Sequence, residues 1–213
     1  MPRLTHVAAM AFEMGLACED VTVRRGGRDV LAGVSFTLGP GDALQLRGSN
    51  GSGKTSMLRA VAGLARHDGS ITFTRAVQAL DPGFIRAHEI HYVGSDSGLA
   101  ARLTVGETAR FLAGFYAAEL GDGLDQLGLG AHLSRKVGTL SAGQRRRLSL
   151  LRLLISPRAL WLLDEPFVAL DDDGQLIVRT LIESHRARGG VILVALHDVA
   201  SLPSARTLRV VAP

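Results

Sequence analysis

One cysteine, Cys18, is all the chain carries, so no internal disulfide can form and a reducing compartment fits. Its expected place is a small core position. Aromatic residues are scarce, at 5%, which leaves little surface on which successive nucleic-acid bases could stack. No run approaches the roughly 18–20 apolar residues of a membrane-spanning helix. The longest apolar stretches, Val191–Leu196 and the segment around Leu148–Ile155, read as core. Repeats and low-complexity linkers are absent. Lysine is confined to Lys54 and Lys136, in a chain whose basic balance is otherwise arginine. A high pI suggests nucleic acid, but the excess is scattered apart from Arg145-Arg146-Arg147. A solvated or membrane-facing surface is the expected place for it. Val7–Phe12 is too short and too weakly led by positive charge for a secretory signal. Residues 1–13 read as a loose extension, or as a start placed ahead of Met14.

What is present is a soluble globular composition, 46% hydrophobic and 21% charged over 213 residues. That length suits one domain, or one domain with a small subdomain. Leu16–Val23 and Val30–Leu38 alternate and form a hairpin-like unit around Arg25-Gly26-Gly27. Ala43–Arg47 is a short strand entering a glycine loop. Thr55–Leu64 has helical apolar spacing. Ser70–Thr74 and Ile90–Val93 read as strands. From about 100 to 137 the pattern turns mainly helical, with a capping box at Thr104 and Glu107. A helix then follows Ser141 through Leu148, Leu151 and Ile155. Leu160–Leu163, Val191–Leu196 and Thr207–Val211 are strands, with a helix over Leu176–Arg188. The alternation predicts an α/β fold with a mainly parallel sheet covered on both faces. An antiparallel β unit precedes it and an α-helical segment is inserted. The expected core covers about 14–96 and 141–213, with the helical subdomain at about 97–140.

Four segments carry chemistry. Gly48-Ser49-Asn50-Gly51-Ser52-Gly53-Lys54-Thr55 fits G-x-x-x-x-G-K-[ST]. Glycines let backbone N–H groups wrap a phosphate, and the helix starting near Lys54 adds its positive end. Lys54 reaches the β- and γ-phosphates of ATP and Thr55 ligates Mg²⁺ in such loops. The competing reading, a chance glycine turn, does not explain the strand before it and the helix after. Second, Leu160–Leu163 delivers Asp164 and Glu165 at a strand's carboxyl end, where open α/β sheets bind ligands. Asp164 is the candidate to hold Mg²⁺ and Glu165 the general base for the attacking water. Acidic turns are common, so the pair gains force only beside the glycine-lysine loop. Third, Ser141 and Gln144 make an S-x-x-Q capping box. It is either an ordinary helix start or a second anion-binding helix end. Fourth is His197 after Val191–Leu196. A lone strand-end histidine is usually structural, and this one gains weight from the other three segments.

In this order and spacing the segments resemble the nucleotide-binding subunit of ATP-binding cassette (ABC) transporters, over about Leu16 to Val211. Leu140-Ser141-Ala142-Gly143-Gln144 looks like that family's signature motif. Ala169-Leu170-Asp171 resembles the loop crossing its dimer interface, and His197 matches the histidine that senses the γ-phosphate. The resemblance implies the phosphate-loop NTPase fold and a head-to-tail homodimer. Each ATP would lie on Gly48–Thr55 of one copy and on Ser141, Gly143 and Gln144 of the other. Closing on ATP and opening after hydrolysis would be the power stroke. Two positions depart from the family. Asp96 stands where a glutamine is usual, and is expected to ligate Mg²⁺. Arg24 and Arg25 stand near the usual adenine-stacking aromatic, so Arg25 is expected to stack through its guanidinium.

Within the family, the likeness extends to the ATP-binding subunits of cytochrome c maturation (haem exporter) systems. It is carried by Tyr92-Val93-Gly94, Gly98-Leu99, Leu140 to Arg147, and Leu162-Leu163-Asp164-Glu165-Pro166-Phe167. That implies integral-membrane channel subunits as partners, no nucleic acid, and a peripheral place on the cytoplasmic face of the bacterial inner membrane. The alternatives are the ATPase of another small ABC exporter, a soluble ABC ATPase acting on DNA or ribosomes, and a regulator that binds ATP without hydrolysing it. Glu165 and His197 speak against the last.

Overall fold

The computed structural model describes residues 12–197 and 201–213. The described chain opens with β1 (Met14–Arg25) and β2 (Arg28–Leu38), paired antiparallel around Gly26 and Gly27, both at positive φ. Then come β3 (Ala43–Arg47), α1 (Lys54–Val61), β4 (Asp68–Arg75), the two-residue β5 (Gln78–Ala79), α2 (Pro82–His88) and β6 (Ile90–Val93). The middle of the chain holds α3 (Val105–Tyr116), the single turn α4 (Gly123–Gln126) and two 3-10 turns, Gly130–His132 and Val137–Thr139. It ends in α5 (Ala142–Ser149), α6 (Leu151–Ile155), β7 (Leu160–Asp164), α7 (Asp172–Ala187), β8 (Val191–Leu196) and β9 (Arg206–Arg209).

Two sheets result. One is antiparallel in the order β2-β1-β4-β5. The other is parallel in the order β6-β7-β8-β3-β9. Side chains alternate across a strand, and the core divides accordingly. Leu160, Leu162, Val191, Leu193 and Ala195 pack with α1 and the antiparallel sheet. Trp161, Leu163, Ile192, Val194 and Leu196 face the other way, onto residues of α3, α5, α6 and α7. Burial on both faces is why β7 and β8 are continuous apolar runs with no polar alternation. The capping box on α3 forms as expected, with Thr104 Oγ1 accepting from Glu107 N and Glu107 Oε2 from Thr104 N.

Three elements differ from the sequence expectation. The helix after Ser141 breaks at Leu150, where Ser149 Oγ donates back to the Arg146 carbonyl at 2.7 Å and the Leu150 amide bonds only three residues back. Such back-bonding bends helices. Helix α2 has no counterpart in the apolar pattern, since Ile85 is its one buried residue. Its signal is Asp81 at the N-cap followed by Pro82. Of residues 1–13, Phe12 and Glu13 are the described ones. Phe12 is docked, its amide donating to Arg188 O at 2.8 Å and its ring lying 5.2 Å from His185. Cys18 is buried in β1 and burial pushes its thiol up to about 12, as suits a core residue. No helix among the described residues is long and apolar enough to cross a membrane.

Among the described residues, two histidines are buried with the hydrophobic groups. His91 donates from Nε2 to Ser156 O at 2.8 Å and meets Tyr116 edge-on. His185 lies flat on Trp161, ring centroids 3.8 Å apart. Burial lowers His91 to about 3 and His185 to about 4. Folded values below the ordinary 6.5 mean that the unfolded chain takes up protons first as pH falls. This stability is therefore complete above about pH 6.5 and is lost on acidification toward those values. We expect the unfolding free energy to drop by about 2 kcal/mol per histidine between pH 7 and pH 5. Urea titrations at the two pH values measure it, and equal free energies would show that both rings titrate alike in the folded and unfolded chain.

Candidate nucleotide site

The loop between β3 and α1 is shaped by its glycines. Gly53, at φ 98°, closes against β2, where a Cβ would run into the Val30 carbonyl. At Gly48 a Cβ would run into the Val210 carbonyl. Gly53 is also the N-cap of α1 and supplies no side-chain acceptor, so the first-turn amides keep their donors for something else. Lys54, 6% exposed, lays its ammonium across the loop and donates to Gly48 O at 2.6 Å and Ser49 O at 3.1 Å. Both partners are neutral carbonyls, so the positive charge is uncompensated by any carboxylate bond there. Ser52 Oγ is buried in the same loop without a hydrogen-bond partner among the described residues. An orphaned hydroxyl beside a buried ammonium is a cradle suited to an anion.

Opposite the loop stands the end of β7. Thr55 Oγ1 lies 3.1 and 3.0 Å from the two carboxylate oxygens of Asp164, which is 1% exposed. Glu165 follows in the left-handed region, at φ 52°. Its amide donates to Ala195 O at 3.0 Å. Its carboxylate turns to the end of β8, accepting from the His197 amide at 3.2 Å and lying 3.3 Å from His197 Nε2. Burial raises the Glu165 carboxyl above the usual range; His197 and Lys54 pull it down and Asp164 adds to the rise. A half-buried carboxylate of raised pKa, lying beside an imidazole, is equipped to accept a proton from water.

These groups share one cavity of about 440 Å³. Asn50 to Ser56, Asp164, Glu165 and His197 line it, with Arg25 and Val30 at the β2 side and Ser95 at the β6 side. Gly48 and Ser49 stand just behind, as backbone acceptors for Lys54. Arg25, rather than Arg24, reaches the cavity; Arg24 is taken up by Asp29 and Asp68 at 2.8 and 2.9 Å. Val30, Ser56 and Ser95 also line the cavity, and no motif in the sequence marks them.

Other expected residues lie elsewhere. Asp96 is exposed, does not line the cavity, and accepts from the Gly98 amide at 3.1 Å. An Asx-type turn of this kind uses the short side chain locally, and it leaves Ser95 as that loop's side chain on the cavity. Ser141, Gly143 and Gln144 also lie outside it, at the start of α5. There Ser141 Oγ accepts from Gln144 N at 3.1 Å and Gln144 Oε1 accepts from Ser141 N at 3.0 Å. At Gly143 a Cβ would come within 2.7 Å of Ala169 O, so the signature segment packs directly on Ala169-Leu170-Asp171.

The family model described as ABC transporter matches residues 31–168. The chain is 41% identical over 197 residues to the cytochrome c biogenesis ATP-binding export protein CcmA of Paracoccus denitrificans, covering 91% of this chain and 88% of that protein. It is 42% identical over 200 residues to the protein of the same name from Bradyrhizobium diazoefficiens, covering 92% and 98%. Among solved structures, a putative ABC transporter ATP-binding protein from Pyrococcus furiosus superposes with a TM-score of 0.80 at 20% identity, covering 93% of this chain and all of that one.

Proposed function

Because the chain belongs to the ABC transporter family of ATP-binding subunits, we propose that it hydrolyses Mg-ATP to drive an export complex of cytochrome c biogenesis. The observation that carries the reading is the meeting of Lys54, the Thr55–Asp164 pair and the Glu165–His197 pair on a single cavity. Lys54 and the α1 amides hold the β- and γ-phosphates. Arg25 and Val30 offer a guanidinium and an apolar side chain to the base. Thr55 and Asp164 would hold Mg²⁺. One carboxylate and one hydroxyl are the modest protein share this ion takes when phosphates complete its shell. When bound, the ion neutralises charge developing on the transferred phosphoryl group. Glu165 takes a proton from the attacking water, and His197 orients it. Asp96 joins this set only if its loop turns inward, releasing Gly98.

The site is completed by a second copy in this reading. The Ser141–Gln144 helix start lies outside the cavity of its own chain, and the Ala142 and Gly143 amides, unlike the capped Gln144 amide, are left to meet a phosphate presented by a partner. The chain acts as one ATPase domain, its core at about 14–96 and 141–213 and its helical part at about 97–140. Integral-membrane subunits hold it on the cytoplasmic face of the bacterial inner membrane, and no nucleic acid is involved.

The test is deletion in the source bacterium followed by staining for covalent haem in c-type cytochromes. Loss of the stain, restored by the wild-type gene, is the expected result. Unchanged staining, or recovery of the chain with ribosomes or DNA in place of membrane protein, would move the reading to another ABC ATPase.

A further inference from the structure

The triplet Arg145-Arg146-Arg147, expected with the rest of the basic residues on a solvated or membrane-facing surface, binds backbone. Arg145 donates to Leu140 O at 2.5 Å and Arg147 to Leu127 O at 2.9 Å. Arg146 goes furthest inward and is 5% exposed. One of its terminal nitrogens donates to Gly94 O and the other to Asp164 O, each at 2.5 Å. Its Nε is buried without a partner, and it forms no ion pair among the described residues. Burying a guanidinium whose hydrogen-bond partners are two neutral carbonyls is expensive, even with the Asp164 and Glu165 carboxylates near enough to favour its charge. The fork must therefore do something that packing does not.

What it does follows from which carbonyls it holds. The Asp164 carbonyl and the Glu165 amide belong to one peptide plane. Arg146 binds its oxygen and Ala195 O accepts from its N–H at 3.0 Å. That plane is thus pinned at both ends, and the residue leaving it is Glu165 at φ 52°. A non-glycine residue stays in this region only where its surroundings over-determine it. The same turn swings the Glu165 carboxylate onto His197. The second carbonyl, Gly94 O, immediately precedes Ser95 on the cavity wall.

We propose that Arg146 is a positioning residue for hydrolysis: it locks the Asp164–Glu165 peptide so that Glu165 faces the reacting water, and it ties that peptide to α5. This rests on the reading of Glu165 as the base and adds a link to it. Arg146 sits five residues after Ser141, on the helix whose start would meet the nucleotide of the second copy. A displacement of α5 is transmitted by one rigid, planar side chain to the peptide that carries the base.

The experiment uses the full-length chain, with single-turnover hydrolysis and ATP titration measured separately. Arg146→Met should slow hydrolysis roughly 10- to 100-fold, the scale of a catalytic group misplaced by about an ångström, with ATP affinity changed less than about twofold. Arg146→Lys keeps the charge but has no planar fork, and should fall between. In a Glu165→Gln background, Arg146→Met should add no further loss beyond about twofold, since the group it positions is already gone. The proposal is overturned by an Arg146→Met rate within about twofold of wild type, by a full multiplicative loss in the Glu165→Gln background, or by parallel loss of ATP affinity. Should Arg146→Met fail to fold, wild-type hydrolysis by Arg146→Lys overturns it equally. Glu165→Gln turning over at the wild-type rate would instead remove the assignment of the base, whatever Arg146 does.

Discussion

Replacing Glu165 by glutamine should cut ATP hydrolysis by roughly 10²–10⁴-fold, the usual contribution of a positioned general base. ATP binding should survive. The amide keeps the shape of the carboxylate and can still accept from the His197 amide, so the cavity wall is preserved while its proton acceptor is lost. The phosphate contacts come from Lys54 and the loop amides, which the substitution does not touch. The pH profile adds an independent check. Burial raises the Glu165 carboxyl above the usual carboxylate range. Only the ionised form accepts a proton, so activity is complete above that raised value and declines as pH falls through it. The acid limb of the wild-type rate should therefore sit higher than the value of an exposed glutamate, and should be absent from the residual rate of Glu165→Gln. Steady-state hydrolysis close to wild type in the variant would take Glu165 out of this role.

Lys54→Ala should weaken ATP binding by about 10- to 100-fold, corresponding to roughly 1.5–3 kcal/mol for a hydrogen bond to a charged group. Lys54 is a buried cation whose present partners, Gly48 O and Ser49 O, are neutral. A phosphate entering the loop meets an ammonium already desolvated and already aimed. Losing it removes both the attraction and the cross-loop bonds that preset the backbone. Calorimetric titration with ATP measures the effect, and an unchanged dissociation constant refutes it. The two substitutions should separate cleanly: Glu165→Gln leaves affinity and loses rate, whereas Lys54→Ala loses affinity first. A chain in which both merely lowered stability would show neither pattern.

Much of this was legible in the residues because it is local. Gly48–Thr55 must be a loop with its neighbours as strand and helix, since glycine spacing and the lysine-threonine ending demand it. The capping boxes at Thr104 and Ser141 need only four consecutive residues, and both formed. The apolar runs Leu160–Leu163 and Val191–Leu196 had to be strands buried on both faces, and they are β7 and β8. Helix α2 escaped because Asp81 and Pro82 mark its start while its apolar face is a single residue.

What the sequence by itself determined about this protein is therefore its set of parts: the phosphate loop, the acid pair after a buried strand, the signature helix start and the family they compose. Only the tertiary structure decided how those parts meet. The parallel order β6-β7-β8-β3-β9 seats β7 beside β8, which brings Glu165 to His197 across 32 positions of chain. The packing of α1 on that sheet carries Thr55 to Asp164 across 109. The burial of Arg146, and the local bond that turns Asp96 to Gly98 and leaves Ser95 on the cavity, came from the same source. A run of arginines looks like a solvated surface until the fold supplies carbonyls for each of them. Hydrogen bonds between distant strand ends depend on sheet register and helix packing, which no short window of residues contains.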